Sequence, residues 1–205
     1  MKAGEAETMR KRPAAFLDRD GTITVERGYL RRPGDVLLIP GAADAVRSLA
    51  QAGFLAVVVS NQSGVARGLM TEEDVALVHE KLESLLAIEG ARLDGAYYCP
   101  SFAEGTDERY TRDVSCRKPA PGLIERAVRD LGIDLPSSVM VGDQVSDIEL
   151  ASRVGIPGVL VLTGKGRESL VTARERGLPV AHSASDLREA AAWIIERTRV
   201  GREGG

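Results

Sequence analysis

Phe16-Leu17-Asp18-Arg19-Asp20-Gly21-Thr22 is an apolar run cut off by two carboxylates, a glycine and a hydroxyl. Ala14 to Leu17 are apolar without alternation, as in a strand covered on both faces, and Gly21 lets the backbone turn away sharply. Ligands of open α/β sheets bind at the carboxyl ends of the strands, where this polar cluster falls. Asp18 and Asp20, two apart on an extended segment, point the same way and repel unless a cation or a shared proton lies between them. Magnesium suits hard oxygen ligands and keeps a substrate phosphate in its shell. Taken alone, Asp-Arg-Asp-Gly is also what a plain polar turn selects.

Three later stretches supply further parts of one chemistry. They are Ser60-Asn61-Gln62-Ser63-Gly64-Val65-Ala66-Arg67-Gly68, Cys116-Arg117-Lys118-Pro119-Ala120-Pro121-Gly122 and Val141-Gly142-Asp143-Gln144-Val145-Ser146-Asp147. Ser60 ends an apolar run, Leu55 to Val59, with a hydroxyl and an N–H that can hold phosphate oxygens; a Ser-Asn turn is the simpler alternative. Lys118 offers a compact cation and Arg117 a bidentate fork, and Pro119 and Pro121 fix the backbone that aims them. Asp143 follows the apolar run Ser138 to Gly142 and can join Asp18 around a cation. Asp147 reads as a helix-start charge or an orienting group as readily as a metal ligand.

In this order and at these spacings the chain resembles the haloacid dehalogenase-like phosphatases, in the branch that holds the D-glycero-D-manno-heptose bisphosphate and histidinol-phosphate phosphatases. The resemblance covers residues 16–147. It implies that Asp18 is a nucleophile forming an aspartyl phosphate and Asp20 the acid and then the base. It also implies that Asp18, the Asp20 backbone carbonyl and Asp143 hold Mg2+. The residues alone do not distinguish which aspartate attacks. The turn Glu26, Arg27, Gly28, Tyr29 is expected to touch substrate, with Arg19, Ser60, Asn61, Gln62, Ser63, Arg117 and Lys118 around the phosphate and the sugar. Relatives in the heptose branch often carry lysine where Gln144 stands. Many fold the preceding loop around zinc with a Cys-x-His and a Cys-x-Cys pair. Here those positions read Cys99-Pro100-Ser101 and Val114-Ser115-Cys116, so two ligands are missing and no structural zinc is expected. Cys99 and Cys116 are then a relic pair or ordinary buried residues, a disulfide forming only if the loop ends meet.

At 205 residues the chain suits one domain. Residues 1–13 read as a frayed arm and 14–200 as the phosphatase domain. Strand and helix patterns alternate: helical stripes over Ala42 to Ala52, from Thr71 to about Ile88, from Pro121, from Asp147, and over Asp186 to Arg197; strands at Gly95 to Cys99 and Gly158 to Leu162. That alternation predicts a Rossmann-like α/β fold, a three-layer parallel sheet with helices on both faces and no separate cap domain. Ile23 to Pro40 is expected to be a long loop, His79 an incidental helical histidine and Trp193 a packing anchor. A net charge of −3 with scattered basic residues argues against nucleic acid and membrane partners, leaving a small phosphorylated molecule. Two cysteines and no secretory pattern point to the cytoplasm, and a monomer or weak homo-oligomer is expected. The expected activity is Mg-dependent hydrolysis of a sugar phosphate such as a heptose bisphosphate. Alternatives are histidinol phosphate, more remotely the 3′-phosphate of a nucleic-acid end, and, in another class, a non-catalytic phosphate-binding module.

Overall fold

The apolar run Ala14–Leu17 forms β1, fully buried and central in the sheet. The structure, a computed structural model, describes residues 11–203. Leu17 lies opposite Val58 of β2 (Leu55–Asn61) on one side and Val141 of β4 (Val139–Gly142) on the other, both parallel. With β3 (Gly95–Cys99), β5 (Gly158–Val161) and β6 (Val180–Ala184), the six strands run in the order β3-β2-β1-β4-β5-β6. Chain progression reverses between β1 and β4, which opens a crevice at their carboxyl ends. Asp18 and Asp143 stand there, one on each strand's end.

Side-chain alternation along β1 divides the core in two. Ala15 and Leu17 pack with α1 (Ala42–Gln51), α2 (Glu72–Ile88) and α6 (Leu187–Glu203), through Val46, Leu49, Val78, Leu82, Leu86 and Ile194. Ala14 and Phe16 face α3 (Gly122–Leu131) and α4 (Val145–Val154), through Leu123, Ile124, Leu150 and Ala151. Helix α5 (Gly166–Glu175) packs against α4. Thr71 and Asp74 close a capping box at the start of α2, where the sequence places it. Gly132 and Gly155 end α3 and α4 in the left-handed conformation. Trp193 stacks flat on His182 at 5.0 Å, packing as expected.

Two stretches differ from the sequence reading. Ile23 to Pro40 is no free loop: Thr24 bridges Leu38, the Val25 N–H donates to the Leu37 carbonyl and the Ile39 N–H to the Ile23 carbonyl, while Leu30, Val36 and Ile39 are buried. Arg12 bridges Ile133 and the Pro13 carbonyl accepts the Leu55 N–H, so residues 11–13 join the fold. The rest of the expected arm, residues 1–10, lies outside the described residues. No described helix is long and apolar enough to cross a membrane.

Candidate active site

Lys118 is the hub of the crevice. Its ammonium lies 2.9 Å from Asp18 Oδ1 and 2.7 Å from Asp147 Oδ1 and donates to the Val59 carbonyl at 2.9 Å, all in a buried setting. The loop that delivers it is clamped to β2 by Asn61, whose amide accepts from the Lys118 N–H (2.9 Å) and donates to the Lys118 carbonyl (3.0 Å). Burial alone would lower the Lys118 pKa, but Asp147 and Asp18 outweigh it and raise the pKa.

Asp18, Asp143 and Asp147 each place a carboxylate oxygen within 4.8 Å of the others, all buried. The Asp18 N–H donates to the Val141 carbonyl (2.9 Å), tying the end of β1 to β4, and Asp18 Oδ1 accepts from the Arg19 N–H (2.8 Å). Asp147 accepts from the Gln144 N–H at 3.0 Å, so one carboxylate both caps α4 and pairs with Lys118. Asp147 thus holds the helix start and Lys118 at once, and it also stands among the three carboxylates that could share a cation. Asp143 Oδ2 accepts from the Lys165 N–H (2.8 Å), whereas Oδ1 is buried with no hydrogen-bond partner. A Cβ at Gly21 or Gly164 would land on the Asp143 carboxylate, so two glycines make room for this acid.

The site is short of positive charge: three carboxylates face one ammonium. Burial, with Asp18 nearby, raises the Asp143 pKa to about 7; burial raises Asp18 to about 6 although Lys118 opposes it. Hard oxygen donors, an unpartnered buried oxygen and an excess of acid fit a divalent cation such as magnesium.

Asp20 is set apart from this cluster. Arg19, only 2% exposed, pairs with it at 2.8 Å, and Gln62 Nε2 and Thr24 Oγ1 donate to it at 3.0 Å each. Burial pushes its carboxyl up, but the Arg19 charge and these donors prevail and hold it below the usual range.

A cleft of about 430 Å3 opens over the cluster. Asp18, Asp20, Glu26, Gly28, Tyr29, Ser60, Asn61, Gln62, Ser63, Arg117 and Lys118 line it, gathering most of the residues singled out from sequence. Four do not line it: Asp143 and Asp147, buried in the carboxylate cluster, and Arg27 and Arg19. Arg27 is exposed and does not line the cleft. Arg19 is turned inward, spent on Asp20, and lines a separate apolar pocket with His79 and Val75. This corrects the expectation that Arg19 lies on the substrate surface. Gln144, Ser146 and Lys165 complete the lining. Sequence reading quoted Ser146 within the Val141 to Asp147 motif without giving it a role and missed Lys165, whose signal was Thr163-Gly164-Lys165 following a strand, the same strand-then-polar pattern seen after β1. The expectation for the cysteines is also revised: the loop ends do meet, and Cys99 and Cys116 form a disulfide with Cα atoms 5.4 Å apart.

Acids ending two adjacent strands, a lysine paired with one of them and with Asp147, and a serine near the end of a third strand can hold a phosphoryl group and the cation that accompanies it. Known proteins agree. Residues 115–190 match the family model described as HAD-hydrolase-like. The chain is 44% identical over 182 residues to a D-glycero-beta-D-manno-heptose-1,7-bisphosphate 7-phosphatase of Yersinia pestis, covering 87% of this chain and 94% of the relative. It is 42% identical over 187 residues to a D-glycero-D-manno-heptose-1,7-bisphosphate 7-phosphatase of Thermosynechococcus vestitus, covering 89% and 95%. The crystal structure of D,D-heptose 1.7-bisphosphate phosphatase from B. bronchiseptica, complexed with magnesium and phosphate, matches with a TM-score of 0.78 at 31% identity, over 90% of this chain and 99% of that one. The protein is a phosphatase of the haloacid dehalogenase-like class. Within it, the chain belongs to the D-glycero-D-manno-heptose-1,7-bisphosphate 7-phosphatase family.

Proposed function

We propose that this phosphatase removes one phosphate from D-glycero-D-manno-heptose 1,7-bisphosphate, at position 7, through a phosphorylated Asp18. The observation that carries the reading is the contact between Lys118 and Asp18 beside the unpartnered oxygen of Asp143. It presents a nucleophilic carboxylate next to a fixed cation and a place for a second cation. The relatives, named for this substrate, support the choice of sugar.

In this reading Asp18, Asp143 and the Asp20 backbone carbonyl hold Mg2+, which when bound offsets the repulsion between an anionic phosphate and an anionic nucleophile. Asp18 attacks phosphorus and becomes an acyl phosphate, so one difficult step becomes two. Lys118, Ser60 and the strand-end N–H groups hold the phosphate oxygens as charge develops on them. Asp147 keeps Lys118 in place. Asp20, stabilised as a carboxylate, is poised to take a proton from water in the second step. To protonate the leaving oxygen in the first step it must part from Arg19. Arg117, Asn61, Gln62 and Ser63 face the rest of the substrate, with Glu26 to Tyr29 across the cleft. The cytoplasm is the compartment that such a sugar phosphate implies, and a single domain from residue 14 suffices for the chemistry.

The test is phosphate release from sugar mono- and bisphosphates and from histidinol phosphate, with and without magnesium. Heptose bisphosphate is expected to give the highest kcat/KM, and only with the metal. A preference for histidinol phosphate would move the substrate; no release from any ester would leave a phosphate-binding module.

Protons compete with the cation for the same carboxylates. Ligation needs Asp143 and Asp18 deprotonated, so magnesium affinity is expected to climb roughly tenfold per pH unit just below pH 7 and level off above it. Both folded pKa values lie above the unfolded ones. The metal-free fold therefore holds protons that the unfolded chain has released, and its stability falls as pH rises from about 4 to 7. Thermal melts at pH 5.5, 6.5 and 7.5 are expected to show the metal-induced rise in Tm growing with pH. A rise independent of pH would remove these two acids from the cation site.

A further inference from the structure

The segment between β3 and Lys118 is anchored unevenly. In its first half the Thr106 and Asp107 N–H groups donate to the Ala66 carbonyl (2.7 and 3.0 Å), and the Tyr110 hydroxyl reaches Glu72 (2.6 Å). In its second half Arg112, Asp113, Val114 and Ser115 are exposed, and apart from the Gly122 N–H of α3 donating to the Ser115 carbonyl at 3.2 Å the backbone hydrogen bonds are local turns such as Arg117 N–H to Val114 O at 2.9 Å. Two ties join this half to the sheet: the Asn61 clamp on Lys118 at its end, and, ahead of Arg117, the disulfide from half-buried Cys116 to buried Cys99 at the end of β3, 17 residues back. The Cys99 carbonyl in turn accepts the Gln62 N–H at 2.8 Å, inside the cleft.

Arg117, next to Cys116, is held lightly. One guanidinium N–H reaches the Ser101 carbonyl at 3.4 Å, and the group lies 4.8 Å from the centre of the Phe102 ring. The Arg67 guanidinium lies over the same ring at 4.2 Å. Among the described residues neither arginine has a carboxylate within ion-pair distance. Two unneutralised cations sharing one ring at the edge of a phosphate cleft attract a further anion. Lys118, by contrast, is fixed by Asn61, Val59, Asp18 and Asp147, whatever the state of the sulfurs.

We propose that the Cys99–Cys116 disulfide and Phe102 form a redox-responsive positioning device for Arg117, one that sets affinity for the second phosphate of a bisphosphate and leaves phosphoryl transfer alone. The inference rests on the bisphosphatase reading above. Opening proceeds by thiol exchange: one thiolate of a small dithiol attacks the more accessible Cys116 sulfur, and Cys99 leaves as a thiolate and is protonated. The second thiol of the reagent, deprotonated, then displaces Cys116. Two electrons and two protons pass to the protein, giving two thiols and a disulfide in the reagent. Freed of the cross-link, the second half of the loop gains conformational freedom, and Arg117 leaves Phe102 for part of the time.

The test is steady-state kinetics of the full chain, oxidised in air or reduced with dithiothreitol, using a sugar 1,7-bisphosphate and the matching 7-monophosphate. A thiol count in denaturant is expected to rise from none to two on reduction. KM for the bisphosphate should rise roughly tenfold, as for loss of a charge-assisted hydrogen bond, with kcat within twofold and the monophosphate unaffected. Phe102→Ala should reproduce the KM effect in the oxidised protein. The Cys99→Ser, Cys116→Ser double variant should match the reduced enzyme, and if it does not fold the reduced natural chain carries the test. Equal bisphosphate KM in both redox states, two thiols in the air-oxidised protein, or zinc bound to the two sulfurs would overturn the device while leaving the phosphatase reading in place. No turnover of any ester in either state would overturn both.

Discussion

Asp18→Asn is expected to lower phosphate release by roughly 10⁴-fold or more while leaving the protein folded. The amide keeps the shape of the carboxylate and can still accept the Arg19 N–H, but it cannot attack phosphorus. Stability should move in the other direction. Asp18 is buried among Asp143 and Asp147, and its raised pKa records how poorly that setting tolerates its charge. At pH 7.5 without metal, the variant should therefore melt no lower than the natural chain, even with one Lys118 contact weakened. Activity within tenfold of the natural enzyme would remove Asp18 as nucleophile. A collapsed Tm would instead make it a structural acid.

Lys118→Met reverses the pattern, harming stability and activity together. Methionine fills the channel occupied by the lysine stem, but three buried carboxylates lose the one ammonium among them. Removing one partner of a buried ion pair costs about 3–5 kcal/mol, or roughly 10 °C of Tm in a domain of this size. The loss should be greatest in metal-free protein at pH 8. It should shrink at pH 5, where Asp143 and Asp18 take up protons, because a neutral acid needs no counter-charge. Activity should fall by about 10²–10³-fold from the missing stabilisation of the phosphate oxygens. An unchanged Tm at pH 8 would mean that the cluster is already protonated or hydrated and that the hub assigned to Lys118 is incidental.

The parts of the fold that sequence revealed are those where burial is complete. Ala14 to Leu17 and Leu55 to Val59 read as strands because both faces are covered and nothing polar interrupts them. The stripe of α2 is read as easily, Val75, Val78, Leu82 and Leu86 being buried on one face. Helix α5 and strand β6 escaped notice for the opposite reason. The buried residues of α5 are Gly166, Ser169 and Ala173, with no aliphatic stripe, and β6 is an edge strand reading Val-Ala-His-Ser-Ala. The site divides along similar lines. Asp18, Ser60 and Asp143 end apolar runs and are placed by the sheet, so local pattern finds them. Lys165 meets Asp143 through its backbone N–H, a contact that side-chain type does not encode. The inward turn of Arg19 and the joining of Cys99 to Cys116 depend on which loops share a neighbourhood, and no spacing records that.

The strand order also bears on how the chain is made. β1 leaves the ribosome before the other five described strands yet occupies the middle of the finished sheet, with β2 on one flank and β4 on the other. While α2, β3 and α3 are being synthesised, one backbone edge of Ala-Ala-Phe-Leu has no strand to pair with. That is the kind of unpaired nascent edge chaperones exist to shield, and it belongs to the strand that ends at Asp18.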